Sequence, residues 1–177
     1  MEGGFPGNGA GVRDVDRALV YSAEDQWSAA IDRGGPIDFF GSRLQLPVQL
    51  RFGDFAAAQA YLDRLVSSYP GTPTVALRTR RGAARAHYSQ GVIAIPMQAP
   101  WACRESVLLH EFAHHLKATD SMSPGDGGAD PSGQAAHGAT FRGIMVRLAG
   151  DMQAPESGLL LRSCYESNGL AVPVYVD

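Results

Sequence analysis

The feature that most constrains the fold of this 177-residue chain is a His-Glu-Phe-Ala-His segment at residues 110–114. It lies in a glycine-free stretch, residues 101–117, that follows Pro100. Proline is tolerated in the first turn of a helix. Plotted at about 100° per residue, the two histidines fall on one face and the apolar residues on the opposite face. The stretch therefore predicts an amphipathic helix whose apolar side packs on a core. Those apolar residues are Leu108, Leu109, Phe112 and Leu116.

The two histidines of this helix are spaced to bind one metal ion. His110 and His114 differ by about 40° in azimuth and about 6 Å in rise, so both imidazoles can reach one cation. Glu111 lies about 100° round the helix, where it can accept a proton from a water molecule beside that cation. Either histidine alone would indicate only a polar surface position, but the pair with Glu111 favours a zinc-dependent hydrolase. We predict Zn²⁺ as the cofactor and Glu111 as the general base.

Catalytic zinc sites use three protein ligands and leave a fourth position for water, so a third ligand is needed. His115 is adjacent to His114 and points about 100° away from it. His137 opens the segment 137–150, in which apolar residues recur at helical spacing on the side that His137 faces. We predict that His137 lies on the first turn of a second helix and completes the site.

Three aspartates are rival third ligands. All lie in the Gly-, Ser- and Pro-rich stretch 119–133, which is poorly suited to fixing a ligand. We favour His137 over them, and we expect this stretch to gate the cleft as a lid, because long loops without secondary structure are commonly lids or disordered segments. The three aspartates are Asp120, Asp126 and Asp130.

The metal region resembles a known family. The sequence HEFAHH at 110–115, followed by HGATFR at 137–142, is similar to the SprT-like branch of zincin metallopeptidases, which pair a His-Glu-x-x-His helix with a later His-Gly-x-x-Phe helix. Over about residues 13–170, the chain more closely resembles a family of small actinobacterial metallohydrolases. The shared segments are Ala23-Glu24-Asp25, Gly-Val-Ile-Ala at 91–94 and Leu-Leu-His-Glu at 108–111.

This resemblance implies zinc ligands His110, His114 and His137, Glu111 as general base, and a peptide or protein substrate. It also implies a single zincin-like domain. In zincins, an edge strand beside the metal pairs with an extended peptide. The strand predicted at 92–95 is a candidate for that role, with an ordinary interior strand as the equal alternative.

The chain departs from the SprT pattern in its cysteines. SprT-type proteins carry a zinc ribbon, which needs four closely paired cysteines. Only Cys103 and Cys164 are present, so the ribbon is excluded and its DNA binding is not carried over. A net charge of −3 and a pI near 5.9 also disfavour a nucleic-acid partner. Alternating arginines at 78–85 could contact phosphate, but a solvated strand face is the favoured interpretation.

Length and composition favour one domain. A chain of 177 residues that is 45% hydrophobic can bury a core without disulfides. We place this domain at residues 13–177 and expect the Gly-rich residues 1–12 to be a flexible tail. No apolar run reaches the roughly 18 residues of a membrane span. We find no targeting signal, and with two cysteines that look unpaired we expect a cytoplasmic protein.

Local patterns predict an α+β fold with a small, mostly antiparallel sheet packed on the helices that carry the metal ligands. We expect a strand at 17–21 and a helix capped near Ser22 that ends at about residue 33. Further along, we expect extended structure at 37–52, a helix capped by Asp54 to about residue 68, strands at 74–80, 85–90 and 92–95, and a last helix at 155–168.

Peptide-bond hydrolysis is the predicted reaction. Hydrolysis of a non-peptide amide by the same site is one alternative, and a non-catalytic zinc-binding interaction domain is another. The interaction domain is disfavoured because structural zinc is usually closed by four protein ligands, and only three are named here. Tyr88 and Tyr165 are the candidate hydroxyls for stabilising an oxyanion, and nothing in the sequence separates them.

Overall fold

A computed structural model of the protein describes residues 13–82, 85–120 and 135–173. These residues form the α+β fold that the sequence predicts. The helices are α1 (Arg17–Arg33), α2 (Phe55–Ser68), α3 (Glu105–Asp120), α4 (Ala139–Met152) and α5 (Pro155–Ser167), with a 3-10 helix at Pro100–Cys103. The strands are β1 (Gly35–Phe39), β2 (Ser42–Leu46), β3 (Ala76–Thr79), β4 (His87–Ser89) and β5 (Val92–Ile95). Within the described ranges, no helix combines the length and hydropathy needed to cross a membrane.

The strands form two small sheets where we expected one. β1 and β2 pair antiparallel, joined by the two-residue turn Phe40-Gly41, in which both φ angles are positive. That backbone matches the twist of a tight hairpin. In the second sheet β5 is central: β3 pairs with it parallel and β4 antiparallel. Counting both sheets, two of the three strand pairings among the described residues are antiparallel, as predicted.

The first helix begins earlier than predicted. We expected a strand at residues 17–21, but α1 starts at Arg17 and runs through this segment. The physical reason is a helical period that the strand interpretation missed: four apolar residues spaced three or four apart are all fully buried. They are Val20, Ala23, Trp27 and Ile31.

Other predicted helix ends are confirmed. The Asp54 carboxylate accepts a hydrogen bond of 2.8 Å from the N–H of Ala57, which caps α2. Pro155 opens α5, and Gly169, with φ 77°, follows its end. Proline at a helix start and glycine after its end are the preferences that the sequence interpretation used.

Helix α5 holds α1 and α4 together. The buried Trp27 of α1 donates from Nε1 to the Ser157 hydroxyl at 2.9 Å. Gly158 lies so close to α4 that a Cβ there would be 2.8 Å from the carbonyl oxygen of Val146 and 3.0 Å from Gly150. Close packing of the two helices therefore needs glycine at this position. α4 also packs on α3. As a result, α1 and the residues just before it lie next to the histidine-bearing face of α3.

Candidate metal centre

Helix α3 carries the His-Glu-x-x-His segment with its apolar side in the core, as predicted. Phe112 is fully buried on that side. His110 and Glu111, on the opposite side, are each only 5% exposed. They are covered by α1, whose Tyr21 ring stacks on the His110 imidazole with centroids 5.4 Å apart. The histidine face of α3 is thus the floor of a covered site and not an open surface.

Three histidine side chains converge on one point. Nε2 of His110 lies 3.2 Å from Nε2 of His114 and 3.3 Å from Nε2 of His137. One ligand atom from each residue lies within 4.8 Å of the other two. Phe141 of α4 packs against all three imidazoles, with centroid separations of 4.9, 4.5 and 5.0 Å. The pairing of α3 with α4 therefore assembles a three-nitrogen cluster.

Two of the histidines are oriented by carboxylates. Nδ1 of His110 lies 2.7 Å from Oε2 of Glu24, and Nδ1 of His137 lies 2.6 Å from Oδ2 of Asp14. A carboxylate acceptor assigns the proton to Nδ1 and leaves Nε2 with a free lone pair, which is the tautomer of a metal ligand. In that state the Nε2 atoms of His110 and His137 are both acceptors and cannot hydrogen-bond to each other. A shared cation would satisfy both, so the donor set fits a metal ion.

The orienting carboxylates are themselves held in place. The fully buried Tyr165 donates its hydroxyl to Oε1 of Glu24 at 2.6 Å. Arg142 of α4 donates to Oδ2 of Asp16 and to the carbonyl oxygen of His137, both at 2.9 Å. These contacts tie Glu24 of α1 to α5, and they tie Asp16, two residues after Asp14, to α4.

His137 lies just before α4, whereas we had predicted that it lies on the first turn of this helix. α4 begins at Ala139, with Gly138 at its N-cap position. The backbone N–H of His137 donates to Oδ1 of Asp14 at 3.3 Å, while the same aspartate binds its ring. These contacts hold both backbone and ring of His137, and the helix begins only after it.

Burial sets different proton affinities on the three histidines. Burial and the neighbouring imidazoles lower the pKa of His114 to about 2, and burial lowers the pKa of His137. Burial also acts to lower the pKa of His110, but the charge and hydrogen bond of Glu24 outweigh it and raise that pKa. At neutral pH, His114 and His137 are therefore neutral, as metal ligands must be, and a metal competes with a proton mainly at His110.

The general-base candidate has a shifted pKa. Burial raises the pKa of Glu111 to about 7, while the charge of His110 acts to lower it and that of Glu24 to raise it. A base with a pKa near the working pH is suited to accepting and returning a proton.

His115 faces away from the centre, as predicted. Its Nδ1 lies 3.1 Å from the hydroxyl of Tyr88 and its Nε2 lies 2.8 Å from the carbonyl oxygen of Pro73. Both ring nitrogens are thus engaged in holding α3 against β4 and the segment before β3.

The rival aspartates stay untested. Asp126 and Asp130 lie outside the described residues, as does the side chain of Asp120. Thr119 and Asp120 belong to α3, so the predicted lid begins later than residue 119, and its remainder to residue 133 lies outside the described part of the chain.

Neither tyrosine that we considered for oxyanion binding has a free hydroxyl. Tyr88 lies against His115 and also accepts from the N–H of Gly91 at 3.1 Å. Tyr165 is fully buried and donates to Glu24. Tyr21 is the tyrosine that lines both cavities beside Glu111.

Sequence reasoning missed Asp14, Tyr21 and Glu24 as site residues. The signal for Glu24 was present in the Ala-Glu-Asp segment of the family resemblance, but we interpreted that segment as a helix cap. Once α1 is extended to Arg17, Tyr21 and Glu24 are three residues apart on one helical face. No local pattern marks Asp14, whose role depends on the distant His137.

Two cavities open on the centre, with volumes of about 830 and 520 Å³. The larger runs along α1 and the start of α3 and reaches His110. The smaller runs along β4 and reaches His114 and His137. Glu111 and Tyr21 line both, so they lie where the cavities meet.

The strand next to the centre is β4 and not β5. β5, the strand that we named as a possible edge, is central among the described strands. β4 lies on the outer side of it, contacts α3, and contributes His87 and Tyr88 to the smaller cavity. The strand at 92–95 is thus the interior strand of our equal alternative, and β4, which has no further strand on its outer side among the described residues, borders the metal centre.

Comparison of this chain with protein-family models, with curated proteins and with solved structures finds no match.

Proposed function

We propose that this protein is a zinc-dependent hydrolase whose most suitable substrate is a peptide bond. The observation that carries the proposal is the convergence of three histidine Nε2 atoms beside the buried carboxylate of Glu111. We also propose that the fold is a zincin-like domain related to the SprT-like branch. That relationship rests on the HEFAHH and HGATFR segments.

His110, His114 and His137 would hold the zinc ion. When bound, zinc supplies Lewis-acid chemistry, which polarises a carbonyl group and lowers the pKa of water. Glu24 and Asp14 keep the protons of His110 and His137 on Nδ1, so that both Nε2 lone pairs stay available.

Glu111 acts as the general base and then as the general acid. It accepts a proton from the attacking water and returns it to the leaving nitrogen of the amide. Its position at the junction of the two cavities supports this role, because a substrate that spans both cavities must pass it. Tyr21 borders the same junction and is our candidate for the hydroxyl that stabilises the oxyanion.

β4 is the proposed docking edge for the peptide. An extended chain can add to a free strand edge through main-chain hydrogen bonds, with side chains alternating into pockets. β4 is short, but it lines the smaller cavity together with Glu111 and other residues of α3, so a strand added there would run past Glu111.

Two alternatives use the same residues. A non-peptide amide would be cleaved by the same groups, and it would not need the β4 edge. A non-catalytic zinc-binding domain is less well supported, because a structural zinc site is usually closed by four protein ligands. The ligand group found among the described residues has three members and faces two cavities.

The deciding experiment uses Glu111→Gln in the zinc-loaded protein, with a fluorogenic peptide library as substrate. Gln can hydrogen-bond to water but cannot accept its proton, so the hydrolysis rate should fall by about 10²–10⁴-fold while zinc content stays the same. Glu166→Gln is the matched control, because Glu166 is exposed on α5, lines neither cavity and forms an ion pair with Arg162. Unchanged hydrolysis in Glu111→Gln would exclude it as the base, and loss of zinc would make it a ligand.

A further inference from the structure

The two cavities beside Glu111 differ in charge. The smaller is lined by four cationic side chains, and the carboxylates among its described lining residues, Asp14 and Glu111, already belong to the metal centre. The larger has four carboxylates among its lining residues and three cations. The chain as a whole carries a net charge of −3, so the positive charge of the smaller cavity is opposite in sign to that of the protein. The four cations of the smaller cavity are Arg17, Arg80, Arg85 and Lys117.

Two of these arginines lie at the junction of the cavities. The guanidinium carbons of Arg17 and Arg85 lie 5.6 and 5.3 Å from the centroid of the Tyr21 ring. Tyr21 in turn lies against His110 and, at 5.3 Å, against His137. The Tyr21 ring therefore contacts both guanidinium groups and two of the three histidines. Both arginines line both cavities.

The two arginines come from different elements of the fold. Arg17 begins α1, while Arg85 lies just before β4. Arg80 holds the segment that carries Arg85. Its guanidinium donates to the carbonyl oxygen of Arg85 at 2.8 Å and lies 2.9 Å from Nδ1 of His87. The backbone that carries Arg85 is thus fixed next to the β4 edge.

Neither Arg17 nor Arg85 has an acidic partner in the described part of the chain. Other arginines do: Arg142 pairs with Asp16, and Arg51 and Arg104 pair with Asp32. No such pair involves Arg17 or Arg85 among the described residues. A planar guanidinium matches a carboxylate with two parallel hydrogen bonds. The junction of the cavities therefore presents two cations that have no acidic partner among the described residues.

We propose that Arg17 and Arg85 bind a carboxylate of the substrate next to the bond that is cleaved, in the smaller cavity, so that this protein prefers peptides with a carboxylate at that position. The inference rests on the proposed function for the position of the cleaved bond. The carboxylate can come from a Glu or Asp side chain or from the C-terminus of the peptide. These two sources share one chemistry, and the experiment separates them.

The test measures binding, so that it does not depend on turnover. Four fluorescein-labelled, alanine-based octapeptides would be titrated into the metal-free protein and into zinc-loaded Glu111→Gln, with fluorescence anisotropy as the readout. They carry two Glu or two Gln residues, each with a free or an amidated C-terminus. At low salt, one carboxylate type should tighten binding by at least about tenfold, because charge-assisted hydrogen bonds are the strong ones. A preference for Glu identifies the side chain as the source, and a preference for the free terminus identifies the chain end.

The variant Arg17→Gln/Arg85→Gln should abolish that preference in both protein forms. Arg43→Gln/Arg78→Gln is the matched control, since it removes the same charge from exposed strand positions that line neither cavity. Equal binding of all four peptides, no binding up to millimolar concentration, or a preference that survives in the Arg17/Arg85 variant would each overturn the proposal. A preference in the metal-free protein without any hydrolysis by the zinc-loaded wild type would uphold the binding of a carboxylate by Arg17 and Arg85 while refuting the proposed function.

Discussion

Helix α3 has a buried polar cluster at its N-terminal end and another further along, and the two are built on opposite principles. At the N-terminal end, the carboxylate of Glu105 receives hydrogen bonds from Tyr61 at 2.5 Å, from Gln153 at 2.9 Å and from the backbone N–H of Leu50 at 3.0 Å. Five residues further on, the three-histidine centre begins at His110. The first cluster matches acceptors with donors, whereas the second brings acceptors together.

The difference separates a structural cluster from a binding cluster. Buried polar groups in native proteins are almost always hydrogen-bonded, so a cluster that satisfies itself needs nothing further. Glu105 is of this kind and joins α3 to α2, α4 and the segment after β2. In the histidine centre, His110 and His137 have partners for Nδ1, while the partners of their Nε2 atoms within the described ranges are other imidazoles. Unsatisfied, converging lone pairs are what distinguish a ligand site.

The largest expected effect comes from breaking the histidine centre. His137→Ala should weaken zinc binding by roughly a thousandfold, because one ligand accounts for about a third of the ~10–16 kcal/mol typical of zinc sites. Competition with a chromophoric chelator measures the affinity. His87→Ala is the control, since His87 lines the same cavity outside the ligand group. An unchanged affinity in His137→Ala would return Asp120, Asp126 and Asp130 to contention.

The next largest effect is a loss of folding stability, without loss of zinc, when the Glu105 cluster is broken. Glu105→Ala should lower the free energy of unfolding by about 3 kcal/mol, because it leaves three donors without their acceptor. Zinc content per folded chain should stay the same. Urea unfolding of the metal-free protein gives the stability, and Tyr61→Phe, which removes only one donor, should cost about 1 kcal/mol. If Glu105→Ala lost zinc without losing stability, the distinction between the two clusters would be wrong.

The smallest effect tests the carboxylates behind the histidines. Glu24→Gln keeps an oxygen that can accept from His110 but removes the charge, so zinc affinity should fall about 10–100-fold. Asp25→Asn is the matched control: Asp25 is the exposed neighbour on α1 and lines the larger cavity. Equal zinc affinity in Glu24→Gln and the wild type would show that Glu24 does not tune the centre.

Prediction from sequence worked where local geometry decides the outcome. The helix that carries residues 110–114, the caps of α2 and α5 and the order of the short strands all follow from spacing, prolines, glycines and an Asp cap. It failed where an element depends on its neighbours. Residues 17–21 contain apolar positions compatible with a strand, and only their burial together with Trp27 and Ile31 makes the helical period clear. The central position of β5 likewise depends on pairing with both β3 and β4.

The sequence by itself determined the spacing of His110, Glu111 and His114, because 3.6 residues per turn places residues four apart on one side of a helix. Only the tertiary structure decided which acids orient the histidines. Glu24 and Asp14 are separated from His110 and His137 by 86 and 123 residues along the chain. Their approach depends on how α1 packs against α5, through contacts such as Trp27 with Ser157. Helix periodicity is a property of the local backbone, whereas a contact over such a distance exists only once the core has formed.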